Sequence, residues 1–182
     1  MENYIGKEAG LAHHFVVGLL AATTTLGAAN ASAAVDTFLK ISDIQGESQD
    51  ARHANEIDVI AWSWGVLGPG VKKQPSCGQA ISVTHFVDKA SPSLAMHTVL
   101  NQASTQGVLT VRKGGDAPLE YIVITFDNLT PTSVSTGGGG GEDRLTENVT
   151  FNYTGATLRY TPQKADGNAG TPVVATLPGS CP

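Results

Sequence analysis

Residues 133–160 read SVSTGGGGGEDRLTENVTFNYTGATLRY, and the change of pattern within them decides the fold. Gly137, Gly138, Gly139, Gly140 and Gly141 have no side chains to bury and the widest choice of backbone angles, so they read as a loop. Beyond them Leu145, Glu147, Val149, Phe151 and Tyr153 alternate with Thr146, Asn148, Thr150 and Asn152. A period of two is a strand with one apolar face and one wet face. Phe151 and Tyr153 must then cover other strands, which points to a barrel or sandwich rather than to an enzyme cleft.

Upstream, residues 35–41 alternate as a first strand, and Gly46 opens a polar loop over 46–55. A second strand over 56–66 puts Ile60, Trp62, Trp64 and Val66 on one face and Ile57, Val59 and Ala61 on the other, so both faces read as covered. The tryptophan pair reads as core or subunit contact in preference to a carbohydrate-stacking site. Residues 67–78 carry Pro69, Gly70, Pro75 and Gly78 and read as a long irregular excursion, a kind of loop that tends to be functional. A third strand, 79–87, includes His85, read as a satisfied, partly buried histidine, since no second ligand sits at a metal-like spacing.

Ser91 and Pro92 read as cap and first residue of the one helix, with Met96, Val99, Leu100 and Ala103 as an apolar stripe against the barrel's outside and Gly107 as the stop. Residues 108–113 and 119–127 form a hairpin over Gly114 and Gly115. The second arm is apolar on both faces, so it needs a partner beyond its own core: the helix, or a neighbouring subunit. Residues 156–162 read as the last strand. The remainder, rich in Gly, Pro, Ala and Thr, reads mostly as extended chain, with Val173 and Val174 a candidate strand.

A chain of 182 residues supports one ordinary core, and a net charge of −5 argues against a nucleic-acid surface. Residues 1–33 close a short uncharged run on Ala31-Ser32-Ala33, the shape of a cleavable secretory leader cut before Ala34. The alternative is a buried or lipid-lying helix; as a stable membrane span the run is too short and too poor in Leu and Ile. In an oxidising compartment Cys77 and Cys181 offer one disulfide tying the tail to the middle loop, provided that their Cα atoms come within about 7 Å, which spacing does not decide.

No catalytic pattern emerges. The glycine run continues Glu142-Asp143-Arg144 where a phosphate-binding loop needs Gly-Lys-Ser/Thr, and no Gly-x-Ser-x-Gly or His-Glu-x-x-His is present. Asp58, Asp88 and His85 are titratable residues on scattered segments. The reading is therefore no enzyme, no cofactor and no metal.

Several segments together resemble one family. DTFLKISDIQGES (36–48), HANEIDVIAWSWGV (53–66), THFVDKASPSL (84–94), LTVRKGGDAPLEYIVITFDN (109–128) and SVSTGGGGGEDRLTENVTFNY (133–153) with YTPQ (160–163) are similar, in order, to the haemolysin-coregulated proteins (Hcp) of bacterial type VI secretion. The resemblance implies a mainly β chain: a small β-barrel of two packed antiparallel sheets with one flanking α-helix, over 34–163, between the leader and a tail over 164–182. It also implies homohexameric rings stacked into a tube, partnered by spike, sheath and effector proteins, cytoplasmic before firing and then secreted. On that reading Leu67, Gly68, Pro69, Gly70, Val71, Lys72 and Lys73, with the glycine loop, reach the next ring, and 119–127 and the helix serve contacts within a ring. The leader and the tail ending in Cys181 depart from the family pattern; a used leader implies a separately exported ring or binding protein.

Overall fold

Apolar alternation recurs in most segments after residue 34, and each such segment needs a neighbour for its backbone hydrogen bonds. In the computed structural model, which describes residues 34–70, 75–115, 118–141 and 143–182, those neighbours are found within the chain. Residues 1–33, over which the leader is expected, and Val71, Lys72 and Lys73 lie outside the described residues. The strands are β1 (Val35–Ile41), β2 (Ile57–Ser63), β3 (Val66–Leu67), β4 (Cys77–Gly78) and β5 (Ile81–Phe86). After helix α1 (Ser91–Leu100) come β6 (Ser104–Lys113), β7 (Leu119–Gly137), β8 (Thr146–Asn152), β9 (Gly155–Tyr160) and β10 (Val173–Pro178).

Strands β7, β6, β1, β2, β5 and β8 pair side by side, and β8 pairs back onto β7, closing a six-stranded antiparallel barrel. The expected β-barrel with one flanking helix is therefore the architecture observed. Closure is possible because β7 runs for 19 residues and serves two sheets. Its first half, Ile122 to Asp127, pairs with β9, and its second, Thr130 to Gly137, pairs with β8. Between them Asn128 takes φ 49°, a left-handed angle that Asn tolerates, and its amide donates to Thr154 Oγ1 at 2.9 Å. Strands β9 and β10 project from this bend as a wing.

The barrel interior is filled by the inward members of each alternation: Leu39, Ile41, Ile57, Ile81, Val83, Leu109, Ile124, Phe126, Val149 and Phe151 are all buried. The glycine run turns the β7–β8 hairpin. Past it Glu147, Val149, Phe151 and Tyr153 are buried as the alternation predicts, while Leu145, before the strand begins, is exposed.

Several local expectations are corrected. In β2 the register against β5 shifts between Val59 and Ala61, a β-bulge that leaves Ile60 exposed. Val59 and Trp62 consequently sit opposite the buried His85 and Val83, on one core-facing side, and the outer face is not covered.

The α1 stripe points the other way from the expectation. Met96, Val99 and Leu100 are exposed, and the helix docks through Leu94, just after the buried Ala90. Its first turn has no side-chain cap; the Ser91 hydroxyl instead accepts from the Asp88 N–H. The helix ends at left-handed Asn101, well before Gly107, which lies in β6 where a Cβ would strike the Leu129 side chain.

The 67–78 excursion, expected without regular structure, starts and returns through the paired β3 and β4. In the tail the candidate strand at Val173 and Val174 is present: β10 lies antiparallel on β9, from Val173 opposite Tyr160 to Pro178 opposite Gly155.

Candidate functional site

Among the described residues the buried charged and imidazole side chains fall in two clusters, and both are structural in geometry. His85 Nε2 stands 2.9 Å from Glu147 Oε1 across the β5–β8 pair. The Glu147 carboxylate also accepts from Ser91 Oγ at 2.6 Å and from Thr136 Oγ1 at 3.1 Å, joining α1 and β7 to the same point. Asp88 lies close by, and burial lifts its carboxyl above its ordinary value. Asp58 is exposed on β2 whereas His85 is buried, so Asp58, Asp88 and His85 do not converge as a set of three. With both side chains sealed from solvent, the His85–Glu147 pair has no access for a substrate.

The second cluster fastens the polar loop after β1. Arg112 makes a bidentate pair with Asp50 at 3.0 and 2.6 Å and reaches Asp36 at 2.9 Å. That hydrogen bonding holds the Asp50 carboxyl well below the usual carboxylate range and raises Arg112. The guanidinium lies over Phe38, whose other neighbour is the parallel ring of His53, 4.1 Å away. His53 Nδ1 in turn meets Glu56 at 2.9 Å. The loop closes tightly at Gly46, where a Cβ would collide with the Glu56 carbonyl. Among the described residues no group of three His, Cys, Asp or Glu is placed to hold a metal ion, and no helix is long and apolar enough to cross a membrane.

The surfaces are more informative. On the outer side of β2, β5, β8 and β7 the registers align Ser63, Ser82, Thr150 and Ser133 in one row and Ala61, Thr84, Asn148 and Ser135 in the next. Ser82 Oγ donates to Asn148 Oδ1 at 3.2 Å and Asn148 Nδ2 to Thr84 Oγ1 at 3.1 Å. Apart from the Ala61 methyl this wall is hydroxyl and amide, with no charge in either row.

Two apolar surfaces lie elsewhere. One is the outward face of α1, where Val99 is 79% exposed. The other is the wing rim, where Ile122, Tyr160 and Val173 form one row across β7, β9 and β10, with Tyr160 47% and Val173 66% exposed.

The excursion leaves the barrel beside the tail. Leu67, Gly68, Pro69 and Gly70 are exposed. Cys77 and Cys181 are joined by a disulfide with Cα atoms 5.0 Å apart, and an open groove of about 680 Å³ lies between Leu67, Pro75 and Cys77 on one side and Gly179, Cys181 and Pro182 on the other. Beneath, the Tyr153 hydroxyl accepts from Trp64 Nε1 at 2.6 Å and donates to the Gln79 carbonyl at 3.0 Å. The sequence reading missed Glu147, Arg112 and Asp50 as fastening residues. For Glu147 a signal existed: a lone acid in the apolar register of a strand demands a buried partner.

Comparison with known proteins agrees over most of the chain. The family model described as "Type VI secretion system effector, Hcp" matches residues 38–160. Protein hcp1 of Pseudomonas aeruginosa is 48% identical over 142 residues, covering 74% of this chain and 88% of that one. Among solved structures, Hcp1 from Salmonella typhimurium is similar with a TM-score of 0.68 at 31% identity, covering 80% of this chain and 94% of that one. A type VI secretion system effector from Yersinia pestis gives 0.67 at 34% identity, covering 79% and 99%.

Proposed function

The chain belongs to the Hcp family of type VI secretion, a structural rather than enzymatic family of tube and effector-carrier proteins, and we propose that six copies of it close into a ring and that rings stack into the tube. The observation that carries this reading is the pair of unlike apolar surfaces on one subunit, the α1 face and the wing rim. A ring built head to tail needs two different surfaces, each copy offering one to either neighbour. A barrel closed on itself has no further use for Val99 or Val173.

Stacking needs a second pair of surfaces. Leu67, Gly68, Pro69, Gly70, Val71, Lys72 and Lys73, with the glycine loop, are assigned to the contact with the next ring, and the uncharged Ser, Thr and Asn wall to the lumen, against effector proteins. Spike and sheath proteins complete the partners. Native mass spectrometry and electron microscopy of the purified protein test the ring: a hexamer mass with annular particles is expected, and a monomer at high concentration overturns it. Deletion within 67–78 that leaves tube length unaltered refutes the stacking role.

A second reading is favoured by the Cys77–Cys181 bond, which belongs to an oxidising compartment. On it the leader is cut before Ala34 and the chain is a separately exported ring or binding protein that carries effectors. N-terminal sequencing of the protein from fractionated cells decides: a start at Ala34 supports this reading, and an intact N-terminus supports direct firing from the cytoplasm.

A further inference from the structure

The tail is held by little apolar contact. Along β10 only Leu177 is partly covered, while Val173 and Val174 are 66% and 58% exposed. Its attachment is polar and covalent. Beyond its ladder with β9, the Gly78 N–H donates to the Gly179 carbonyl and the Cys181 N–H to the Gly78 carbonyl, each at 2.8 Å. The Ser180 N–H donates to the Tyr153 carbonyl at 2.9 Å. One residue from Gly78, the disulfide joins positions 104 apart in sequence. Gly78 is committed to this junction, since a Cβ there would overlap the Tyr153 hydroxyl.

We propose that Cys77 and Cys181 form a redox-operated strap. In the oxidised chain the tail and the base of the 67–78 excursion move as one unit; in the reduced chain the tail opens locally while the barrel stays closed. An exposed edge strand opens readily unless something restricts it, and here the restriction is a covalent bond closing a long loop. The barrel draws its stability from its own core, to which the tail contributes only Leu177 at the margin.

Closing the strap is disulfide exchange with an oxidised thiol compound or a disulfide oxidoreductase. One cysteine thiolate attacks the donor disulfide and releases a donor thiolate; the second then displaces the other donor thiolate. The pair loses two protons and two electrons, and the donor is reduced to two thiols. The strap acts within the single subunit; because Val173 on β10 also belongs to the wing rim assigned to ring contact, exchange is read on the ring-deficient variant Met96→Lys with Val99→Glu, where no neighbour covers β10.

Hydrogen exchange of this purified variant, with and without a thiol reductant, tests the proposal. On reduction the amides of β10 and of Gly78 should exchange at least about tenfold faster, with those of β5 and β8 unchanged. Cys77→Ser and Cys181→Ser should each show the fast pattern without reductant. Equal β10 protection in both states overturns the proposal, because the bond then restrains nothing. Loss of protection in β5 and β8 together with β10 also overturns it, because the bond then staples the whole fold.

Discussion

His85 and Glu147 face each other across β5 and β8 at 2.9 Å with both side chains 1% exposed, and the carboxylate is shared with Ser91 and Thr136. Removing one member strands the rest without water. Glu147→Ala should therefore cost about 3–5 kcal/mol in urea unfolding, whereas replacing both residues by leucine should cost much less. Equal losses for the two variants would show that packing, not pairing, matters at this point.

The Arg112–Asp50 pair gives a pH signature. Its hydrogen bonds depress the Asp50 carboxyl in the folded chain below the ordinary 3.8. A depressed acid contributes stability above its unfolded pKa and loses it as pH falls through the folded value. The melting temperature of the wild type should exceed that of Asp50→Asn most clearly at pH 7. The gap should narrow below about pH 4, and a gap independent of pH would contradict the ion pair.

Gly78→Ala tests the junction under the tail. The added methyl meets the Tyr153 hydroxyl, so a loss of about 1–3 kcal/mol is expected. Combined with Tyr153→Phe, which removes that oxygen, the two losses should sum to more than the double variant shows. Strict additivity in denaturant melts would place the strain elsewhere.

The outward α1 face separates assembly from folding. Met96→Lys with Val99→Glu alters exposed positions, so the unfolding free energy should change by no more than about 0.5 kcal/mol. In native mass spectrometry the same variant should shift from ring to monomer. Rings of unchanged mass would remove this face from the contact.

Much of the barrel was legible because a closed sheet with one buried face imposes a strict two-residue period. β1 occupies the predicted 35–41, and Val149 and Phe151 are buried where the alternation puts them. Reading failed where a distant neighbour decides. The bulge near Ile60 comes from the register against β5, and nothing local in 56–66 announces it. Met96 and Val99 have helical spacing, yet the docking contact went to Leu94. Arg112 and Asp50 are 62 positions apart, so neither charge reveals its partner. For the assembly surfaces, the doubly apolar 119–127 segment was the one legible hint; β9 pairs along its edge, and α1 packs against β7, one of the two partners expected for it.

Because one strand, β7, forms both a wall of the barrel and the root of the wing, the two are joined through its backbone with no loop between them. A force applied along the wing runs straight down the chain past Asn128 into the hydrogen bonds with β6 and β8, loading them in shear, many at once, rather than unzipping them singly. A subunit wired in this way suits a part that is pushed hard and must arrive in one piece.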